Sequence, residues 1–280
     1  MAIRRAFGET ADPTAHVPRD ATELLLDGLL DWCAEEGVGS TVAALIAPPG
    51  FGKTHLLRVL QARLAGATGH GPEALAPVRT TRVLYLPYAA LSLPDLCRWI
   101  HGLLGRSSDE IARLPRSEEG ALDALGALGD PAVGPFYLLV DDADSLPLPT
   151  LRILAQGLPP ERSPLRLVLA LTDDSRAARL LAVLDRLSPF EAVLRTPLDA
   201  AETEAYLRAR LERAGLGVEL LDGLDPVTLE RIGALSGGVP RRIHRVVTAL
   251  LEPEHGALAR ALSVHPRSDA WLGAPIVDAL

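Results

Sequence analysis

The sequence predicts an α/β fold: a parallel sheet with helices on both faces, followed by a small all-helical segment. Three observations predict it. Apolar runs around Val42–Ile46, from Arg82 (RVLYL), at 136–142 (FYLLVDD) and at 165–172 (LRLVLALT) read as buried strands. Each is followed by a stretch whose leucines recur at helical spacing, and strands alternating with helices imply parallel pairing. From Pro197 onward the alternation stops and the pattern is purely helical.

The elements follow in order. Residues 1–20 are polar and broken by Pro13 and Pro18, which predicts an extended arm over the core. Leu24, Leu25, Leu29 and Trp32 place a leading helix over 21–36. After the first strand comes a loop from Ala47 to Gly52, then a helix from Lys53 to about Leu64 with Leu56, Leu57 and Leu60 inward. The second strand is followed by a helix over 94–104, with Leu96, Trp99, Ile100 and Leu103 on one face. The Gly-, Ala- and Asp-rich residues 105–135 hold a weak helix over 117–128. A short helix at 149–156, a helix at 175–187 and a short fifth strand, EAVLR at 191–195, complete the alternation. Helices over 199–214, 226–235 and 239–251, with a further one before Pro266, form a lid, and the Pro/Gly-broken tail carries Trp271 and Ile276 as docking groups. The expected division is a core with its arm over 1–196, a lid over 197–264 and a tail over 265–280.

The loop at 47–54, APPGFGKT, reads as a phosphate-binding turn. It departs from GxxxxGK[ST] only at its first position, where Ala47 replaces glycine. Lys53 is the only lysine in 280 residues, beside 27 arginines. A compact ammonium on a flexible stem can reach between two phosphates, whereas a guanidinium fork suits fixed bidentate partners. Backbone N–H groups of Gly50, Phe51, Gly52, Lys53 and Thr54 would ring the phosphates of ATP at the positive end of the following helix, with Pro49 and His55 flanking them in the same cofactor-binding stretch. Lys53 would bridge the β- and γ-phosphates, and the Thr54 hydroxyl would hold Mg²⁺.

FYLLVDD ends an apolar strand on two carboxylates. Asp141 is placed at the metal, from a strand expected beside the loop. Asp142 either faces an attacking water or caps the turn into ADSLPLP. Thr172, closing the fourth strand, either orients that water or caps the helix entered through Asp173 and Asp174. Arg241, Arg242 and Arg245 share a helix with His244, and three readings compete for them: γ-phosphate sensing, which Arg241 fits best, nucleic-acid contact, or a solvated face.

Composition limits the function classes. A net charge of −8 and a pI near 5.4 oppose a general nucleic-acid footprint. The lid agrees, with eight arginines against ten acids between Pro197 and Ser263. No apolar run has the roughly 18 residues of a membrane span, and MAIRRAFGET has no signal-peptide core, so a cytoplasmic protein without membrane insertion is expected. Cys33 and Cys97 lie far apart without ligand spacing, which points to buried thiols.

Four stretches together resemble a known family. The arm AFGETADPT with VPRD, the loop APPGFGKT, the strand LLVDDAD, and LDAAETEAYLRARLERAGL followed by SGGVPRRIHRVV are similar to AAA+ ATPases. Within these they are similar to the clade of ExeA-type secretion ATPases, TniB and MuB transposition regulators and origin-recognition proteins. The resemblance spans about residues 6–251. It implies a P-loop AAA+ core whose five-stranded parallel sheet runs 5-1-4-3-2, with nucleotide bound between core and lid. It implies that Thr172 is the polar sensor ending the fourth strand and that Arg241, in the GxPR turn, is the lid arginine touching the γ-phosphate. Two departures bear on hydrolysis. The family usually has glutamate where this chain has Asp142, one methylene shorter, so slow turnover is expected. An arginine finger is expected just before the fifth strand, and here Arg186 stands slightly early while Ser188, Pro189 and Phe190 take that place. The expected function is a Mg²⁺-dependent ATP switch acting on assembly of a protein partner or of itself. An ATP-dependent DNA-binding regulator of transposition type and a non-hydrolysing ATP-binding scaffold are the alternatives.

Overall fold

The computed structural model describes residues 6–8, 11–35, 40–66, 82–128, 136–157, 165–215 and 225–251. The expected helix before Pro266 and the tail with Trp271 and Ile276 lie outside them. The chain divides into two compact units: residues 12–49 with 53–195, and residues 1–11 and 50–52 with the segment from Thr196 to the end.

The larger unit is built on β1 (Val42–Ala47), β2 (Arg82–Leu86), β3 (Phe136–Val140), β4 (Leu165–Thr172) and β5 (Phe190–Val193). They form one sheet in the order β2-β3-β4-β1-β5, which is the expected 5-1-4-3-2 arrangement, and every neighbouring pair is parallel. All six residues of β1 and all five of β3 are buried, which explains why their sequences run apolar without alternation.

Helices α1 (Asp20–Ala34) and α2 (Lys53–Gly66) pack on each other; α1 also lies against β5, and α2 against β1, β2 and β4. A separate core joins Val42, Ala44 and Ile46 to Phe136, Leu138 and Val140 of β3 and to Leu96 and Ile100 of α3 (Leu93–Leu103). It continues through α5 (Glu118–Gly126), α6 (Leu148–Gly157) and α7 (Ser175–Leu184). Leu103, expected on the inward face of α3, is 46% exposed in the last turn, where the helix ends and the chain turns away.

The helix starts follow capping chemistry. Ser92, Ser117, Asp174, Asp199 and Asp225 each accept a backbone N–H in the first turn of the helix they precede. The sequence reading passed over α4 (Ser108–Ala112), although Ser107 and Glu110 form a reciprocal capping box there. Asp174, and not Thr172, is the cap of α7, accepting from the amides of Arg176 and Ala177. Among the described residues no helix is long and apolar enough to cross a membrane. Both cysteines are buried, and burial pushes the Cys33 thiol up to about 12.

His101 on α3 is buried, and its Nε2 has no partner among the described residues. Burial pushes its pKa below the ordinary value, aided by the Arg106 charge and opposed by a bond to the Ala124 carbonyl and by Glu110. The folded state therefore prefers the neutral ring. As pH falls below the unfolded value near 6.5, only the unfolded chain takes the proton, so stability drops until the folded value is passed. Lowering pH from about 7.5 to about 5.5 should depress the Tm of the unaltered protein more than that of His101→Leu. Parallel Tm curves would contradict this account.

The smaller unit contains α8 (Ala200–Arg213), α9 (Pro226–Ser236) and α10 (Pro240–Leu251). Leu207, Leu211, Ile232, Ile243 and Val247 form its core, and Ala6, Phe7 and Leu198 complete it. The beginning of the chain thus packs with the C-terminal helices. Phe7 meets the His244 ring edge-on, and His244 Nε2 is hydrogen-bonded to the Tyr206 hydroxyl at 2.6 Å. The buried Arg210 donates from Nε to the Ala6 carbonyl at 2.9 Å.

Candidate functional site

The turn between β1 and α2 is shaped by two glycines. Gly50 and Gly52 have φ of +85° and +89°, backbone that side-chain-bearing residues rarely adopt. A Cβ placed on Gly52 would meet nothing within 4 Å, so the turn is open at that point. Lys53 opens α2, and its Nζ donates to the Ala47 carbonyl at 2.9 Å, with a longer contact to Pro48. Pro49 and Thr54 are exposed, and Phe51 is half-buried. An ammonium and a hydroxyl at the positive end of a helix form an anion-attracting set.

As the expected order requires, β4 lies directly beside β1 and separates it from β3. Thr172 is thereby in register with Ala47, and the Asp173 amide donates to the Ala47 carbonyl at 3.1 Å. Asp141 comes from one strand further, at the end of β3, where its amide continues the ladder to Leu86 at 2.8 Å. Its carboxylate is buried and held on both oxygens. The Tyr85 hydroxyl donates to Oδ2 at 2.7 Å and the Asp142 amide to Oδ1 at 3.0 Å.

Asp142 itself is exposed and left-handed, φ 47° and ψ 41°. Its side chain makes no cap bond to the following turn, so the capping alternative has no support in the geometry. Aspartate tolerates this conformation better than most residues, yet it carries a strain cost. Three residues on, buried Asp144 accepts the Thr172 amide at 2.8 Å through Oδ2, while Oδ1 has no partner among the described residues. Asp173 pairs with Arg195 at 2.5 and 3.0 Å, and those bonds hold its carboxyl below the usual range, with Lys53 contributing in the same direction.

His55, in the first turn of α2, stands in a relay. His16 Nδ1 lies 3.3 Å from His55 Nε2, and His16 Nε2 lies 2.7 Å from Glu23 Oε1. Glu23 can only accept when ionised, so the neutral relay has His16 donating from Nε2 and accepting from His55. Arg63 donates to the other Glu23 oxygen at 2.7 Å. Burial raises the Glu23 carboxyl, but the bonds and charges of His16 and Arg63 outweigh it and leave the group below its ordinary value.

Two predicted arginines stand on other elements. Arg186 is exposed in a single 3-10 turn, Asp185–Leu187, just ahead of β5. Arg241 is exposed at the start of α10 in the smaller unit. Gly50–Gly52 groups with that unit, and there the Arg241 amide donates to the Gly50 carbonyl at 3.2 Å. A Cβ on Gly50 would come within 3.1 Å of Val239 and 3.2 Å of the Arg241 Cβ.

The residues that sequence reasoning passed over are Tyr85, Asp144, the Asp173–Arg195 pair, and His16 with Glu23. Asp144 had a signal, its spacing of three from Asp141 across a turn. Tyr85 and His16 had none, since their partners come from β3 and α2 and only the fold brings them together.

The donor set fits phosphate and Mg²⁺: positive-φ glycines in an open turn, an ammonium, a hydroxyl and a pre-ordered carboxylate supply the hard oxygens and N–H donors these groups take. Residues 36–180 match the family described as AAA domain. No curated protein matches the chain in sequence. Among solved structures, the chain is similar to the Aeropyrum pernix ORC2 protein in its ADPNP–ADP complexes, with TM-score 0.58 and 20% identity over 93% of this chain and 67% of that one. It is similar to the Aeropyrum pernix ORC1 protein in complex with DNA, with TM-score 0.56 and 18% identity over 93% and 69%. It is also similar to domain III of the Thermotoga maritima replication initiation protein DnaA, with TM-score 0.53 and 15% identity over 93% of both chains. The chain thus spans about two thirds of each archaeal protein, and at these identities the likeness is one of fold. With the family match covering just over half of its 280 residues and a 5-1-4-3-2 sheet carrying a P-loop, the chain belongs to the AAA domain family, as a P-loop AAA+ protein.

Proposed function

We propose that the protein is a Mg²⁺-dependent ATP switch that hydrolyses ATP, possesses two nucleotide-controlled states, and uses them to drive or regulate assembly with a protein partner or with copies of itself. The observation that carries this reading is the Lys53 turn, with Gly50 and Gly52 at positive φ and the chain's one lysine opening α2. In this reading the core ends at residue 196, the lid covers 197–264 and the tail 265–280.

The turn from Pro49 to His55 wraps the phosphates, and Lys53 leaves the Ala47 carbonyl to meet the β- and γ-phosphates. Thr54 and Asp141 hold Mg²⁺, which when bound neutralises charge on the phosphate oxygens. Asp142 takes the proton of the attacking water, and its strained backbone fixes where that carboxylate points. Thr172, its amide pinned by Asp144, orients the water. Arg241 senses the γ-phosphate, so its loss on hydrolysis frees the lid. Arg186, exposed ahead of β5, acts on the site of a neighbouring copy.

Sizing of the protein with and without ATP and Mg²⁺, alongside phosphate release, tests the reading. A nucleotide-dependent change in assembly with measurable release supports it. An unchanged monomer in every state counts against the switch, and binding without release would leave a scaffold. Exposed Arg241, Arg242 and Arg245 on α10 favour a second reading, ATP-dependent contact with DNA. Duplex binding that weakens steeply with salt would support it, and no binding at low salt would exclude it.

A further inference from the structure

We propose that Tyr85 is a positioning residue for the Asp141 carboxylate, fixing the plane in which that group meets Mg²⁺. The inference rests on the reading above, that Asp141 is at the metal. Tyr85 lies on β2, in register with Leu139 of β3, two residues before Asp141. That register brings its hydroxyl to 2.7 Å from Asp141 Oδ2, while the Asp142 amide takes Oδ1 at 3.0 Å. A carboxylate with one fixed donor on each oxygen cannot rotate freely, and its remaining lone pairs keep a set direction.

The ring is held as well. The Arg58 guanidinium carbon lies 3.4 Å from the Tyr85 ring centroid, and Arg58 Nη1 donates to Gln61 Oε1 at 3.0 Å, which steadies the fork. Arg58 stands on α2, the helix that Lys53 opens. A single aromatic ring therefore links the phosphate-binding helix to the Asp141 carboxylate. The contrast is Tyr137 on β3, whose hydroxyl donates to a backbone carbonyl, that of Cys33, at 2.5 Å. That bond ties one element to another and serves no charged group, whereas the Tyr85 hydroxyl is spent on a carboxylate at the end of the sheet.

Tyr85→Phe removes one oxygen and keeps the ring under Arg58. A fluorescent ATP analogue is titrated into the full chain in EDTA, then at rising Mg²⁺, with thermal stability recorded in parallel. The expected result is unchanged affinity in EDTA, unchanged Tm, and a Mg²⁺ midpoint about tenfold higher than in the unaltered protein. Arg58→Met, which keeps the hydroxyl, should shift the midpoint less. A Tyr85→Phe midpoint equal to or below that of the unaltered protein overturns the assignment while leaving the nucleotide reading intact. If the unaltered protein binds the analogue with no response to Mg²⁺, the metal reading falls and takes this assignment with it.

Discussion

Lys53→Ala is expected to abolish function more completely than any other single change. Lys53 is the one ammonium at the turn, and a charge-assisted bond to phosphate contributes about 1.5–3 kcal/mol, so nucleotide affinity should fall by roughly one to two orders of magnitude. Phosphate release should fall further, by about 10²–10³, because the same charge stabilises the transferring group more than the bound one. Folding should be spared. The side chain is only partly buried, and its bond to the Ala47 carbonyl is lost together with the donor, leaving that carbonyl its bond from the Asp173 amide. Lys53→Arg is the sharper version of the test. The chain uses arginine at every other basic position, so if charge alone sufficed this variant would work. A guanidinium is wider and reaches in one plane, and it should restore little of the release rate. Release by Lys53→Ala at an undiminished rate would remove the turn from the mechanism.

Gly238→Ala is expected to be the most destabilising substitution in the smaller unit. Gly238 sits at φ +68°, and a Cβ there would lie 2.0 Å from the Leu198 carbonyl oxygen, 2.9 Å from its nitrogen and 3.0 Å from its carbonyl carbon. All three atoms are backbone, so no side-chain rotation relieves the overlap. The same two residues are joined by the Leu198 amide donating to the Gly238 carbonyl at 2.9 Å, which must break if they separate. Strain, a lost buried hydrogen bond and displaced packing at Leu198 together cost roughly 3 kcal/mol or more. Gly237→Ala is the control. Gly237 is also left-handed, at φ +58°, but a Cβ there meets nothing within 4 Å, so its cost is the backbone term of about 1–2 kcal/mol. Urea unfolding followed by circular dichroism separates the two, and equal losses would show that the overlap at Leu198 is relieved cheaply.

The sheet was legible because its inner strands, β1, β3 and β4, are buried on both faces. Nothing polar interrupts Val42–Ala47 or Phe136–Val140, and β4 coincides with LRLVLALT from end to end. The P-loop was legible because glycine and lysine spacing is local. Partners across the sheet were not. Asp141 and Asp142 were visible as adjacent acids, but that one is buried under two donors and the other exposed in a left-handed turn depends on the β2–β3 register and on where β3 ends. The position of β4 between β1 and β3 is not encoded in local sequence either, and it was expected only through the family resemblance. Asp174 outcompeted Thr172 as the α7 cap because a carboxylate one residue before Ser175 reaches two amides at once.

The packing of Ala6 and Phe7 among α8, α9 and α10 sets a schedule for folding during synthesis. Arg210 reaches the Ala6 carbonyl across 204 residues of chain. The three helices therefore cannot close this core on their own residues alone, and the segment with Ala6 and Phe7 must wait, uncommitted, while the entire sheet is translated and folds. Ribosome-bound chains stalled before α10 should show a protease-resistant sheet and an accessible start, and protection of residues 6–8 should arrive last, with the helix that carries Arg241.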